Sequence, residues 1–182
     1  MAEIVALETE RLILRPWREC DRAPFAALNA DAETMRFFPA PLTRAQSDAA
    51  VDAMSARMAE QGWGFFALER KADGAFAGMT GLNRPRFEAP FMPCIEIGWR
   101  LPRSAWGQGY ASEAARACLD FAFATLGEKR VVAFTAVANA PSRRVMERIG
   151  MTRVADGDFD HPNVPKGHPL RRHVLYEIAR TA

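Results

Sequence analysis

The sequence predicts a mixed α+β fold in one domain, residues 1–182, and three observations carry the prediction. Runs with strand character and runs with helical periodicity follow one another in the order β-α-α-β-β-β-α-β-α-β-β. The strands before residue 94 read as hairpins rather than βαβ units. At 182 residues, 49% hydrophobic and 25% charged, the chain has the size and composition of one unit, with no internal repeat, low-complexity tract or linker.

Each element has a local reason. Arg11-Leu12-Ile13-Leu14-Arg15 reads as a first strand, and Asp21 followed by Pro24 as the start of a helix reaching about Ala30. Thr43 with Gln46 three residues later is a capping-box pattern that introduces a second helix to about Glu60. The runs 63–70 and 75–82 flank Lys71-Ala72-Asp73-Gly74, whose Asp-Gly pair signals a hairpin turn. Pro85, Pro90 and Pro93 then break the chain before a strand over 94–101. In that strand Ile95, Ile97, Trp99 and Leu101 alternate with Glu96 and Arg100, so Glu96 lies on the face opposite the isoleucines.

Ala111, Ala114, Ala115, Cys118, Phe121 and Ala122 recur at steps of three and four, which predicts a helix over 110–125 with Ser112, Glu113, Arg116 and Asp120 outward. Residues 130–137 read as the next strand. Asn139 caps a helix with Pro141 near its start that ends before Gly150. A short strand near 151–155, a loop at 156–172 rich in Asp, Pro and His, and a strand over 173–178 complete the order.

Several function classes are disfavoured. A formal net charge of +2 gives no basic footprint for nucleic acid. The opening Met1-Ala2-Glu3-Ile4-Val5 has no basic-then-apolar export pattern, and no long apolar run suggests a membrane partner. Cys20, Cys94 and Cys118 are odd in number and lack metal-ligand spacing, which predicts reduced thiols and a cytoplasmic protein. Cys118 falls on an apolar helix face and reads as core rather than as an acyl-carrying nucleophile. His161, His168 and His173 lack a helical i, i+4 pair and read as solvated loop residues, so no metal is expected.

The segment Trp106-Gly107-Gln108-Gly109-Tyr110-Ala111 lies between a strand and a helix, where unpaired backbone N–H groups and the helix dipole form an anion site. It is not a P-loop, because no Gly-Lys-Ser or Gly-Lys-Thr closes it. Ser112 stands where a Rossmann fingerprint has its third glycine, leaving a nicotinamide site, with Glu128 near the ribose spacing, as a distant alternative.

These residues resemble the GNAT superfamily of N-acetyltransferases, in particular the branch with the ribosomal-protein acetyltransferases RimJ and RimL. The resemblance rests on Ile95-Glu96-Ile97-Gly98-Trp99, the Trp106 to Ala114 segment, and Val137-Ala138-Asn139-Ala140-Pro141-Ser142 through Met151, with the opening Glu8 to Pro16 alongside. It implies a central, mostly antiparallel twisted sheet of about seven strands with a splayed pair, flanked by about four helices. It further implies acetyl-CoA as cosubstrate, without metal. Backbone amides from Gln108 to Ser112 would hold the pyrophosphate, the strand end at Trp99, Arg100 and Leu101 would pair with the pantetheine, and Asn139 and Ser142 would meet that arm from the other side. Monomer and homodimer are both compatible with the branch.

The acceptor implied is a primary amine, either a protein N-terminus or a small molecule. Near pH 7.4 roughly a fifth to a third of an α-amine is neutral, against about a thousandth of a lysine side chain, so a base matters most for lysine. Glu96 is the candidate base, acting through water, with an arginine-paired strand carboxylate as the competing reading. Ser142 is the candidate donor to the leaving sulfur, because Met146 stands where many members carry a Tyr for that purpose. Arg143, in the first turn of its helix, is taken over Arg144 and Arg148 as the CoA-phosphate contact. Phe37, Phe38, Trp17 and Trp63 are candidates for either an acceptor pocket or core, and Asp156, Asp158 and Asp160 for either cation attraction or a solvated turn. A non-catalytic acyl-CoA-binding module is the alternative function.

Overall fold

The computed structural model describes residues 4–180. The Met1-Ala2-Glu3 part of the export reading and residues 181–182 lie outside them. The described residues form nine strands: β1 (Leu7–Glu8), β2 (Leu12–Arg15), β3 (Phe65–Arg70), β4 (Phe76–Asn83), β5 (Ile95–Arg100), β6 (Arg130–Ala136), β7 (Thr152–Arg153), β8 (Phe159–Asp160) and β9 (Arg172–Ala179). Four α-helices accompany them: α1 (Arg22–Ala30), α2 (Arg44–Gln61), α3 (Tyr110–Ala124) and α4 (Ala140–Arg148).

One sheet runs β1-β2-β3-β4-β5-β6-β9-β7, with β8 also on β9. Every neighbouring pair is antiparallel except β5 and β6. That pair is joined by the α3 crossover, the connection a parallel neighbour requires. Pairing of β5 with β6 is confined to Ile95↔Val131 and Glu96↔Val132. Beyond those positions both strands continue, to Arg100 and Ala136, without a ladder between them. This is the splayed pair, in a sheet that exceeds the expected seven strands because β1 and β8 are two-residue pieces without a periodic signature.

Both faces are covered, and each has its own apolar cluster. Ala114, Ala115, Cys118 and Ala122 of α3, all fully buried, pack with Ile95, Ile97, Val131 and Ala133. Small side chains there let helix and sheet approach closely, as the alanine periodicity predicts. On the other face Phe25 and Leu28 of α1 and Val51 of α2 pack on Met79 of β4.

Local signals mostly hold. Thr43 and Gln46 form the reciprocal cap, with Gln46 N donating to Thr43 Oγ1 at 3.2 Å and Thr43 N to Gln46 Oε1 at 2.8 Å. Asn139 Oδ1 accepts from Ser142 N at 3.2 Å, capping α4. Asp21 stands at the N-cap of α1, where the sequence starts the helix, but its side chain makes no cap hydrogen bond and instead grips the buried Arg15 guanidinium through two hydrogen bonds of 2.7 and 2.9 Å. Arg15 also bonds Glu69 at 2.6 Å, so the entry to α1 is tied to β2 and β3 by ion pairs. Among the described residues, no helix is long and apolar enough to cross a membrane.

Candidate active site

The glycine turn has the form the sequence predicts. Gly107 and Gly109 have φ of 72° and 81°, a region that L side chains rarely adopt, and Gly109 is the N-cap of α3. The first N–H of α3 bonded to the chain is that of Glu113, on Gly109 O at 3.0 Å. Those of Gly107 through Ser112 find no acceptor among the described residues, so a helix N-terminus and its preceding turn present a row of donors. Glu113 is not simply outward: it accepts from Thr9 Oγ1 at 2.6 Å and from Arg11 N at 2.9 Å, fastening the turn to the β1–β2 connection.

A cavity of about 960 Å³ fills the splay between β5 and β6. One end reaches Trp106, Gly107, Gly109, Tyr110, Ala111 and Ser112; Asn139 and Ser142 line it at α4; the other end lies under α1 and α2, where Glu96, Gly98 and Arg100 form the floor. Trp99 and Leu101 line it as well, whereas the Gln108 side chain lies outside, exposed on the turn. The Trp106 indole donates to Leu101 O at 2.8 Å, tying the turn to the end of β5.

Glu96 is partly buried and is not paired with an arginine. Asn83, its register partner on β4, donates from Nδ2 to Glu96 Oε2 at 3.1 Å, and Arg57 of α2 donates to Asn83 Oδ1 at 2.8 Å. Burial pushes the Glu96 carboxyl up to about 7, against the opposing pull of the Asn83 bond and the Arg57 charge. A carboxylate so tuned exchanges protons near neutrality.

The Ser142 hydroxyl faces the cavity with no hydrogen-bond partner among the described residues, its backbone N–H being the group that Asn139 takes. Met146 is buried at 2% exposure beside it and carries no proton. Arg143 bonds Tyr176 Oη at 3.4 Å and Val137 O at 3.3 Å and lies outside the cavity lining, which includes Arg144 and Arg148. First-turn position fixes height along a helix but not the direction a side chain faces. Phe37 and Phe38 line the cavity; Trp17 and Trp63 belong to the core. Asp158 pairs with Arg153, and Asp160 with Arg171 and Arg172, so both are engaged at the surface.

The histidines were expected in solvent, and two are not. His161 and His173 stack at 4.8 Å within a cluster that includes Phe87, Phe134 and Phe159, and both line the cavity. Burial lowers both, His161 to about 4. Among the described residues no three His, Cys, Asp or Glu side chains group as a metal site. Cys118 is fully buried, and burial raises its thiol, which removes it as a nucleophile.

Fold and site define an acetyltransferase. A model of the acetyltransferase (GNAT) domain matches residues 11–152, and the chain belongs to that family. YkkB of Bacillus subtilis (strain 168) is 33% identical over 146 residues, covering 80% of this chain and 84% of the relative. The FsC-acetyl coenzyme A-N(2)-transacetylase of Aspergillus fumigatus is 33% identical over 182 residues, covering 96% and 76%. Among solved structures, a GNAT-family acetyltransferase from Bacillus anthracis superposes with a TM-score of 0.79 at 26% identity, covering 96% of this chain and 98% of that one.

Gly109→Val should weaken acetyl-CoA binding by roughly tenfold or more, because the left-handed residue sets the direction of the free N–H row and costs a side chain about 1–2 kcal/mol. Calorimetric titration measures it. An unchanged Kd in a folded variant would detach the turn from cofactor binding.

Proposed function

We propose that the protein moves an acetyl group from acetyl-CoA directly to a primary amine, without a covalent enzyme intermediate. The acceptor is a small-molecule amine or a protein N-terminal α-amine. The observation that carries this reading is the single cavity joining the free N–H row of residues 107–112 to Glu96 through the splay. In this reading the row binds the pyrophosphate, and the unpaired edge of β5 at residues 97–100 receives the pantetheine amides as a further strand would. Asn139 and Ser142 close the opposite side.

Glu96 takes the proton of the incoming ammonium through water. The neutral amine forms the new C–N bond at the thioester carbon, and the C–S bond breaks as the tetrahedral species collapses. The nitrogen of that species gives up its second proton, which passes through the Ser142 hydroxyl to the departing sulfur, so that CoA leaves as the thiol and Ser142 ends protonated. Backbone N–H groups near Trp99 to Leu101 polarise the carbonyl oxygen. The Aspergillus relative, an FsC-acetyl coenzyme A-N(2)-transacetylase, supports this donor and reaction type. The opening segment and the Trp106 turn support the RimJ/RimL-like branch.

The test is thiol release from acetyl-CoA with a panel of free amines and peptides differing at their N-terminal residue, scored in parallel by the 42-dalton mass increase expected of one acetyl group, about 42. Turnover with at least one amine is expected. Tight acetyl-CoA binding with no thiol release from any acceptor would instead establish the non-catalytic acyl-CoA-binding alternative. Ser142→Ala should slow turnover about tenfold and shift its pH profile, measured by the same assay; an intact rate and profile would remove Ser142 from the reaction.

A further inference from the structure

Among the described residues Arg100 is a cation without a counter-ion. Its guanidinium lies on the cavity floor, on the face of β5 that carries Glu96. Nη1 donates to Asn29 Oδ1 at 2.5 Å, and the Phe38 ring covers one face with its centroid 4.2 Å from Cζ. Nε is shut off from solvent with no partner, and Nη2 has none among the described residues. Among the described residues no carboxylate is within ion-pair distance of the guanidinium: Asp31 pairs with Arg103 at 3.3 Å, Glu33 with Arg36 at 2.9 Å and Asp52 with Arg22 at 2.7 Å, while Asp48 pairs with Arg44 through Oδ2 at 2.8 Å and keeps a buried, unpartnered Oδ1. Glu96 is held by Asn83.

A buried guanidinium with an empty edge is costly in isolation, and arginine does not escape the cost by losing its proton: burial lowers it only to about 10. Nη2, the terminal nitrogen left without a partner, is the donor that can meet a carboxylate oxygen in the cavity. Asn29, fully buried and itself donating to Ser47 Oγ at 2.9 Å, locks the other edge in place, so the fork is oriented before anything binds. Between Glu96 and Arg100 stands Gly98, which puts no side chain on the floor. The two groups stand on either side of the Phe65 ring, which packs over Gly98 on the same face, with Cα atoms about 13 Å apart at four strand residues.

We propose that Arg100 receives a carboxylate of the acceptor, so that the acceptor is an amine that also bears a free carboxylate. The inference rests on the transferase reading above and narrows its acceptor class. The carboxylate can belong to a free amino acid or to the acidic side chain of a peptide's N-terminal residue. Arg100 is then a specificity residue: it holds the substrate's far end while Glu96 serves the amine. The Phe38 stack fits the same role, since a flat guanidinium clamped on one face keeps its fork in plane.

The test compares matched acceptors in thiol release: amino acids against their amides, and peptides beginning with Asp or Glu against those beginning with Asn or Gln. The wild type should prefer acids by between about tenfold and a hundredfold in kcat/KM, the range expected of a charged hydrogen-bonded pair. Arg100→Met should abolish the preference, chiefly by raising KM for the acid and not for its amide; Arg100→Lys should retain part of it. The first pair responding alone identifies a free amino acid, and the second alone a peptide. Calorimetry of an N-acetylated amino acid and its amide against the CoA-loaded protein reads the anion site independently of turnover. Acid-selective binding that Arg100→Met removes upholds the receptor even if no acceptor releases thiol, a result that would sink the transferase reading alone. Equal use and equal binding of acid and amide by the wild type overturns the proposal, as does a preference that survives in Arg100→Met. If Arg100→Met fails to fold, the wild-type comparison and Arg100→Lys decide.

Discussion

Glu96→Gln is expected to lower turnover by about a hundredfold or more, the contribution usual for a positioned base, with the Kd for acetyl-CoA nearly unchanged. The carboxyl must be ionised to take a proton. With its pKa near 7, wild-type activity should rise with pH through that value, and this limb should vanish in the variant. The acceptor's own titration adds a second limb that moves when the acceptor is changed and is the same in both proteins. Stability should move the other way. A folded-state value raised from 4.5 to about 7 means that Glu96 contributes stability below its unfolded value and loses it as pH rises through 7. Gln has no charge to desolvate and can still accept from Asn83. The variant should therefore melt a few degrees above wild type at pH 8.5 and show no such gain at pH 4. Slower and more stable together separates a functional carboxylate from a structural one. Unchanged turnover removes Glu96 from the reaction.

Asp21→Ala is expected to cost about 3–5 kcal/mol, the range for a buried pair broken from one side, and to lower Tm on the order of 10 °C. Arg15 and Asp21 have side-chain exposures of 6% and 2% and meet through two hydrogen bonds, and the same carboxylate accepts from Arg18 N at 2.8 Å. With Asp21 gone, a buried guanidinium keeps Glu69 and the Pro16 carbonyl. The exposed pair of Arg22 with Asp52 supplies the control: Asp52→Ala should cost less than about 1 kcal/mol. Thermal unfolding followed by circular dichroism decides, and a loss in Asp21→Ala no larger than in Asp52→Ala would remove the network as an anchor of α1. Because α1 carries Asn29, loosening it should also disturb the partner of Arg100.

What was legible in the sequence was local. The Thr43 and Asn139 caps, the Asp73-Gly74 hairpin, the alanine face of α3 and the glycine turn are each specified within a few residues. What was not legible depends on register and on which way a helix faces. Asn83 supports Glu96 only because β4 and β5 pair in one register, and Arg57 reaches Asn83 only because α2 lies across that face. Arg100 was read through its backbone, as a strand end beside the cofactor; its side chain belongs to the opposite task, since the period of two turns it toward α1. His161 and His173 lie in a segment whose composition suggests solvent, and only the pairing of β8 with β9 folds them against Phe134. Asp21 looked like a cap because its position before a helix was visible, whereas Arg15 as its partner six residues back was not distinctive.

The narrow seam between β5 and β6 also divides the labour of the molecule. Asn29, Arg57, Asn83, Glu96 and Arg100 all precede the seam, on the leaf built from β1 to β5 with α1 and α2; the donor turn, Asn139 and Ser142 all follow that leaf in the chain. In the proposed reaction, the side chains that choose and deprotonate the acceptor are thus encoded separately from the turn and helix that hold the pyrophosphate and receive the sulfur, with the backbone edge of β5 serving both. Side-chain substitutions in the first hundred residues that keep that edge in place would exchange one acceptor for another without touching the pyrophosphate turn or Ser142.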